Sequence, residues 1–174
     1  MEINIERALK IDGQMWDAEL QWLAEQASQH HCIVELGSYL GRSARALLDN
    51  SPGTVIAIDK FSPHGPEKRD RVLTQFLANT SDCPNLCVVI CDHRCIPSHA
   101  FRPDMVFIDG DHDYAAVCDD IRYWSERLLP GGLLCGHDCH GDQPGVDQAV
   151  KELLPGYVVA DNTRIWIAGT ERAF

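Results

Sequence analysis

Residues 33–43 read IVELGSYLGRS, an apolar run followed by a loop in which two glycines lie four positions apart. Gly37 can adopt backbone angles that other residues avoid, and Gly41 lets the start of a following helix approach a ligand closely. A dinucleotide-binding loop would need the spacing G-x-G-x-x-G, but Tyr39 occupies the place of its second glycine. The segment therefore predicts a strand, a cofactor-binding loop and a helix, and it disfavours a pyrophosphate-containing cofactor such as NAD.

A second apolar run, TVIAID at residues 54–59, ends in a carboxylate. Asp59 stands where the acid of an α/β nucleotide-binding fold hydrogen-bonds a ribose diol. A glycine loop combined with this acid indicates an adenosine without its phosphates. The alternative is that Gly37 and Gly41 only form a tight turn between a strand and a helix.

Three later segments extend the pattern. They are DMVFIDGDHDY at residues 104–114, LLPGGLLCGHD at residues 128–138 and PGV at residues 144–146. Together with the glycine loop, they resemble the class I S-adenosylmethionine (SAM) dependent methyltransferases, in particular the small methyltransferase domain family 24 and the catechol O-methyltransferase-like group. The resemblance runs over about residues 32–168 with the segments in the family's order, and it implies SAM as the cofactor.

The resemblance also implies which residues hold the cofactor. The glycine loop would face the methionine part of SAM, Asp59 would bind the ribose, and Asp92 would lie near the adenine after the third strand. A helix or turn cap is the alternative role for Asp92. The expected cofactor-binding residues are Glu35, Gly37, Ser38, Gly41, Ser43, Asp59, Asp92 and Asp109.

Metal-dependent members of this group carry an acid after the fourth strand and an adjacent acidic or amide pair after the fifth. Asp109 matches the first place and His137 with Asp138 matches the pair, so the resemblance makes these three the expected metal ligands. His137 departs from the pattern, because Mg²⁺ prefers oxygen ligands whereas imidazole suits Zn, Mn, Fe or Ni. The residues thus leave open which divalent ion is held, and whether one is held at all.

Without a metal, His112 or His137 would serve as the base, since imidazole titrates near neutral pH and can take a proton from a hydroxyl group. The expected catalytic residues are therefore Asp109, His112, His137 and Asp138. For each histidine, a structural role in fixing a loop is the alternative.

Short continuous apolar runs alternate with helical patterns, which is typical of a parallel sheet covered on both faces. The predicted strands are about 32–36, 54–59, 86–91, 104–109 and 132–136, the predicted helices are near 42–49, 67–79, 114–127 and 146–153, and residues 157–160 and 164–168 predict a closing hairpin. An N-terminal helical extension at about 1–30 is expected to have its cap at Asp12 and an apolar stripe of Trp16, Leu20, Leu23 and Ala27. The expected fold is α/β: a doubly wound, Rossmann-like, seven-stranded and mostly parallel sheet with a C-terminal antiparallel hairpin.

The 174 residues predict a single domain at 1–174, long enough to bury about two-thirds of its unfolded surface. No segment approaches the roughly 18 apolar residues of a membrane span, and residues 1–13, MEINIERALKIDG, contain no apolar core of a secretory signal. A reducing cytoplasm is therefore the expected location, in which the eight cysteines would stay unpaired.

The net charge of −11 opposes binding to phosphate backbones and to anionic lipid. Nucleic acid and membranes are therefore not expected as partners, and a small neutral or cationic acceptor fits better. A homodimer is a further expectation, because a short chain has little room for a lid and a second copy could complete its pocket.

The expected activity is SAM-dependent methylation of a small molecule, at oxygen. One alternative is a metal-dependent hydroxylase-like relative, which redox-active iron at Asp109, His137 and Asp138 would favour. The other is a non-catalytic SAM-binding or partner subunit, which an incomplete site would favour.

Overall fold

The computed structural model describes residues 2–62, 68–92, 95–97 and 100–169. The strands are β1 Cys32–Leu36, β2 Thr54–Ile58, β3 Leu86–Val89, β4 Met105–Ile108, β5 Leu133–Gly136, β6 Val158–Val159 and β7 Trp166–Ile167. The α-helices are α1 Asp17–Ala27, α2 Arg42–Asn50, α3 Arg69–Thr80, α4 Tyr114–Ser125 and α5 Pro144–Leu153, and a short 3-10 helix spans Ala8–Lys10.

The strands form one seven-stranded sheet in the order β3-β2-β1-β4-β5-β7-β6. Strands β1 to β5 are parallel, and β7 runs antiparallel to both β5 and β6. This topology confirms the predicted doubly wound sheet with its closing hairpin. The strand order reverses between β1 and β4, and ligands of such sheets bind beyond the carboxyl ends of the strands at this reversal.

Successive residues of the central strands belong to two separate apolar layers. Ile33 joins the layer that contains Leu23 of α1 and Phe76 of α3. Val34, its neighbour in β1, joins the layer that contains Trp124 of α4. Because helices cover both faces, all residues of β4 and all but the first of β1 are buried.

The predicted strands and helices are confirmed with small shifts at their ends. Strand β3 ends at Val89 rather than at residue 91, because it is an edge strand and its single partner β2 ends at Ile58. Helix α3 begins at Arg69, whereas residue 67, where the predicted helix began, lies outside the described residues. The hairpin strands β6 and β7 are shorter than their apolar runs.

The predicted cap of the N-terminal helix at Asp12 is wrong. Helix α1 begins at Asp17, and Trp16 precedes it with an extended backbone. The Trp16 N–H donates to Glu19 Oε2 at 2.7 Å, so a side chain of the first turn caps this helix. Trp16 is also not part of the buried stripe, because it lies before the helix and is 53% exposed, with the Arg164 guanidinium 4.8 Å from its ring centroid. The buried members of the predicted stripe are Leu20, Leu23 and Ala27.

The N-terminal extension is fastened to α2 by side chains at both ends of that helix. Arg42 donates through Nη1 to the Ile11 carbonyl at 2.7 Å and through Nε to the Met15 carbonyl at 3.0 Å. At the other end, Asn50 Nδ2 donates to the Asn4 carbonyl at 2.7 Å. Residues 4–15 therefore lie along the helix that follows the glycine loop.

The eight cysteines are free thiols, and Cys118, Cys135 and Cys139 are buried. Over the stretches of chain that the structure describes, none of the helices combines the length and the hydropathy needed to cross a lipid bilayer.

Candidate active site

A cavity of about 690 Å³ opens at the carboxyl ends of the parallel strands. The loops after β1, β2 and β3 contribute Gly37, Ser38, Asp59 and Asp92, and the first turn of α2 contributes Ser43. The loops after β4 and β5 contribute Asp109, His112, His137 and Asp138. Residues 12–15 of the N-terminal extension also line it. One cavity therefore joins most of the predicted cofactor-binding residues to all four predicted catalytic residues.

The glycine loop between β1 and α2 lies directly against the end of β4. Gly37 has a φ of +82°, and a Cβ atom at this position would lie 2.0 Å from the Asp109 carbonyl oxygen. Gly41, with a φ of +92°, immediately precedes α2. Only a residue without a side chain fits at position 37, because both the backbone angle and the close approach exclude others.

Glu35 lies beneath this loop and is fully buried. Its Oε2 accepts a hydrogen bond from the Ser38 hydroxyl at 2.5 Å. Burial raises the pKa of Glu35 to about 7, against the opposite effect of the Ser38 and Ser43 hydroxyls. Glu35 and Gly41 are not among the described residues that line the cavity, whereas Ser38 is. A contribution of Glu35 to cofactor binding would therefore act through Ser38.

Asp59 follows β2, and its carboxylate holds the glycine loop from the neighbouring strand. Oδ2 accepts hydrogen bonds from the backbone N–H groups of Ser38 and Tyr39, both at 2.8 Å. Oδ1 accepts from the N–H of Phe61 at 2.6 Å. A carboxylate offers about four lone-pair sites, so Asp59 can still accept a ribose hydroxyl while it shapes the loop.

Asp92 follows β3 and forms an ion pair with Lys60, whose Nζ lies 3.0 Å from Asp92 Oδ2. Both residues line the cavity. Sequence analysis did not identify Lys60, because a lysine directly after the acid at the end of a strand carries no pattern of its own.

Adjacent parallel strands bring the three expected metal ligands together. Asp109 follows β4, and His137 and Asp138 follow its neighbour β5. His137 Nδ1 lies 3.2 Å from Asp138 Oδ1 and 3.5 Å from Asp109 Oδ1. One potential ligand atom of each residue lies within 4.8 Å of the other two. Two carboxylate oxygens and one imidazole nitrogen form a donor set that suits Mn, Fe or Zn better than Mg²⁺.

His112 contacts the same acid from the loop between β4 and α4. Its Nε2 lies 2.8 Å from Asp138 Oδ2, and its side chain is 41% exposed in the cavity. The hydrogen bond to Asp138 raises the pKa of His112, although burial acts in the opposite direction. This carboxylate and imidazole pair leaves Nδ1 of His112 as the ring nitrogen that could take a proton from an acceptor.

Glu19 is a second residue, after Lys60, that sequence analysis missed. It is fully buried in α1, and its Oε1 lies 3.0 Å from His137 Nε2 and accepts the Arg164 N–H at 3.0 Å. A signal for this burial is present in the sequence. Glu19 precedes Leu23 by four residues and Ala27 by eight, which places its carboxylate on the apolar face of the helix.

Opposite charges balance each other in this group of side chains. Burial alone would raise the pKa of Asp138, but its hydrogen bonds with His112 and His137 outweigh burial and lower it. Arg164 Nη1, at 3.4 Å from Asp138 Oδ1, adds a guanidinium cation. Burial alone would lower the pKa of His137, but the three carboxylates around it raise it to about 11. A metal ion bound at Nδ1 of His137 would replace the positive charge of the protonated ring. The carboxylates around this nitrogen therefore suit a metal ion as well as a proton.

Comparison with known proteins identifies the family. The family model described as a methyltransferase domain matches residues 34–139, more than half of the 174 residues. The matched range contains the glycine loop, Asp59, Asp109 and the His137–Asp138 pair. A search of curated protein sequences finds no match.

Several solved structures share the fold. Rv0187 from MTB, solved with its cofactor, has a TM-score of 0.68 at 16% identity, over 97% of this chain and 87% of that one. CalS11, a TDP-rhamnose 3'-O-methyltransferase of calicheamicin biosynthesis, has a TM-score of 0.65 at 14% identity, over 88% and 78% of the two chains. TomG, an O-methyltransferase from Streptomyces achromogenes solved with SAM, has a TM-score of 0.65 at 13% identity, over 91% and 82%. Identities this low show a common fold alone, whereas the family model matches more than half of the chain, so the chain belongs to the methyltransferase domain family and is a SAM-dependent methyltransferase.

Proposed function

We propose that this methyltransferase transfers the methyl group of SAM to a hydroxyl oxygen of a small molecule. The observation that carries the proposal is that a single cavity joins the glycine loop and Asp59 to the carboxylates and imidazoles of Asp109, His112, His137 and Asp138. Its volume of about 690 Å³ lies within the range of small-molecule sites, about 300–1,000 Å³.

The names of two similar structures support oxygen as the methylated atom. CalS11 is a 3'-O-methyltransferase of TDP-rhamnose, and TomG is an O-methyltransferase of tomaymycin synthesis. Both act in the synthesis of small molecules, which agrees with a cavity of this volume. The charge of −11 also favours an acceptor that is not a polyanion.

Methyl transfer requires alignment and the removal of one proton. The acceptor oxygen attacks the sulfonium methyl group, the bond between methyl carbon and sulfur breaks, and the electron pair of that bond stays on sulfur to give S-adenosylhomocysteine. Holding donor and acceptor in line supplies much of the rate, because it removes the entropy of a bimolecular encounter. The glycine loop and Asp59 would hold the donor, and the carboxylates and imidazoles after β4 and β5 would face the acceptor.

His112 has the geometry of a general base. Asp138 Oδ2 holds its Nε2 at 2.8 Å, which orients the ring and stabilises the imidazolium that forms when Nδ1 takes the hydroxyl proton. A positioned acid or base of this kind contributes about 10²–10⁴-fold to a rate.

Asp109, His137 and Asp138 would hold a divalent cation if the enzyme uses one. Such an ion would supply Lewis acidity, which lowers the pKa of an acceptor hydroxyl. The base and the cation are two ways to remove the same hydroxyl proton. Only the second depends on a metal ion, so an experiment can distinguish them.

The test of the function is transfer of a labelled methyl group from SAM to a panel of catechols and deoxysugar nucleotides. Each acceptor is paired with an analogue in which the hydroxyl is replaced by hydrogen or by an amine. We expect label on hydroxyl-bearing acceptors and not on their matched analogues. SAM binding without transfer to any hydroxyl, or transfer only to the amine analogues, would contradict the proposal.

Chelation separates the two modes of proton removal. If a cation is used, EDTA should abolish transfer while SAM binding survives, and Asp109→Asn should behave like Asp138→Asn. If His112 is the base, transfer should survive EDTA, and His112→Gln should lower the rate by about 10²–10⁴-fold. Asp161→Ala, in the exposed turn between β6 and β7, is the control for both.

The two other functions considered from the sequence are not favoured. The family match and the presence of all four expected catalytic residues around one cavity argue for an enzyme rather than a non-catalytic partner subunit. The family match also favours methyl transfer over hydroxylation.

Location and assembly are further proposals. Eight free cysteines suit a reducing compartment such as the cytoplasm, and localisation of a tagged protein would test this. A homodimer in which a second copy covers the open side of the cavity would be detected by analytical ultracentrifugation.

A further inference from the structure

Glu19 is a buried carboxylate in a helix that lies outside the sheet. Its exposed fraction is 0%, and removing a carboxylate from water costs several kcal/mol unless its oxygens find partners. Oε2 accepts the Trp16 N–H at 2.7 Å, which caps α1. Capping alone would not require burial, because a capping acid at the start of a helix functions equally well in contact with water.

The second oxygen of Glu19 connects the helix to the catalytic edge of the sheet. Oε1 accepts the Arg164 N–H at 3.0 Å and lies 3.0 Å from His137 Nε2, at ion-pair distance. His137 itself is 4% exposed, so water cannot substitute for Glu19 on that side of the ring.

The imidazole of His137 is therefore held between carboxylates on both sides. Nε2 faces Glu19, while Nδ1 faces Asp138 at 3.2 Å and Asp109 at 3.5 Å. These contacts on both sides of the ring favour the orientation in which Nδ1 points to the cavity. A ring turned by 180° about its Cβ–Cγ bond would place Cε1 beside Glu19 and Cδ2 beside Asp109 and Asp138, so it would lose the ion-pair contacts on both sides.

We propose that Glu19 is the positioning residue for His137: it holds Nε2 and so presents Nδ1 to Asp109, Asp138 and the acceptor side of the cavity. This inference rests on the proposed function, since it gives His137 a part in methyl transfer. Outer residues that orient a functional imidazole in this way typically change activity by about 10–100-fold when they are replaced. The N-terminal extension is then part of the active site and not an appendage of the fold.

The first test reads the ring of His137 without using activity. In the folded protein, the buried Nε2–H should give a solvent-protected imidazole N–H signal in NMR spectra, assigned by its loss in His137→Asn. We expect Glu19→Gln to shift or remove this signal. Glu25→Gln, an exposed acid on the same helix, should leave it unchanged. An unchanged signal in folded Glu19→Gln would overturn the proposal.

The second test is a double-mutant cycle on methyl transfer. Glu19→Gln should lower kcat by about 10–100-fold with the KM for SAM unchanged, and the double variant with His137→Asn should be no slower than His137→Asn alone. Effects that multiply would show that Glu19 acts independently of His137 and would overturn the proposal. If Glu19→Gln does not fold, Glu19→Asp replaces it in both tests. This variant keeps the negative charge, but its side chain is one methylene group shorter, so its oxygens lie farther from His137.

The two proposals fail in different ways. A wild-type protein that binds SAM but methylates no hydroxyl would contradict the proposed function, and the NMR signal would still decide whether Glu19 holds His137. A protein that methylates normally with an unchanged ring signal in Glu19→Gln would contradict only the role of Glu19.

Discussion

Asp59 combines two tasks in one side chain, since it accepts three backbone N–H groups of the surrounding loops and lines the cavity. Asp59→Ala would leave these donors unmatched and would remove the expected ribose contact. We expect SAM affinity to fall by about 1–3 kcal/mol, or about 5–150-fold. Isothermal calorimetry measures this directly, with Asp59→Asn giving a smaller loss because it keeps one accepting oxygen. Unchanged affinity in Asp59→Ala would remove this residue from the cofactor site.

Glu35 makes folding depend on pH in the direction opposite to most acids. Its pKa rises from 4.5 to about 7 on folding, so the folded state disfavours the ionised form. The stabilisation from the protonated group is fully present below pH 4.5 and is lost as the pH rises through 7. The loss is about 3 kcal/mol at most, from about 1.36 kcal/mol per pKa unit.

Glu35→Gln cannot ionise, so its stability relative to wild type should increase by up to about 3 kcal/mol between pH 5 and pH 8. Urea unfolding of both proteins at the two pH values measures this difference. Glu25→Gln should show no such change because its carboxylate is exposed. The same difference at both pH values would mean that Glu35 is ionised throughout.

At the scale of elements, the glycine loop packs closely against the backbone that follows strand β4. A Cβ at Gly37 would lie 2.0 Å from the Asp109 carbonyl oxygen, whereas at Gly131, with a similar φ of +78°, nothing lies within 4 Å. Gly131→Ala should therefore cost only the backbone strain, about 1–2 kcal/mol. Gly37→Ala adds a clash with backbone that cannot move aside. It should cost clearly more in thermal unfolding and should also weaken SAM binding. Equal losses of stability in Gly37→Ala and Gly131→Ala would show that the glycine loop can move away from the end of β4.

The elements themselves were predictable to different degrees. The parallel strands were found because each is a continuous apolar run with its polar residue at the carboxyl end, as in β2 before Asp59. The start of α1 was missed because its cap is made by Glu19, within the helix, and not by a residue before it. Edge strand β3 was predicted too long, since an apolar run does not reveal where its partner strand ends.

At the scale of the whole molecule, the site depends on contacts that sequence spacing does not encode. Asp109, His112, His137 and Asp138 could be grouped beforehand because parallel strands align their carboxyl ends. The contact between Glu19 and His137 could not be predicted from the sequence, because it depends on how α1 packs beside the sheet. The position of the N-terminal extension over α2 also depends on contacts between residues that are distant in the sequence, since Arg42 holds it by hydrogen bonds.

The net charge of the molecule leads to a prediction about its partners. With a charge of −11, the chain can neutralise few phosphates, so it lacks the counterion release that drives non-specific binding to nucleic acid. We expect a 20-base-pair DNA duplex and a structured RNA of similar size to bind more weakly than about 10⁻⁴ M at physiological salt, the weak limit of ordinary non-specific binding. Fluorescence anisotropy at 50 mM and at 200 mM salt should also show little change in affinity, because few counterions are released. A submicromolar dissociation constant with a steep salt dependence would contradict this prediction and the proposal that the acceptor is a small molecule.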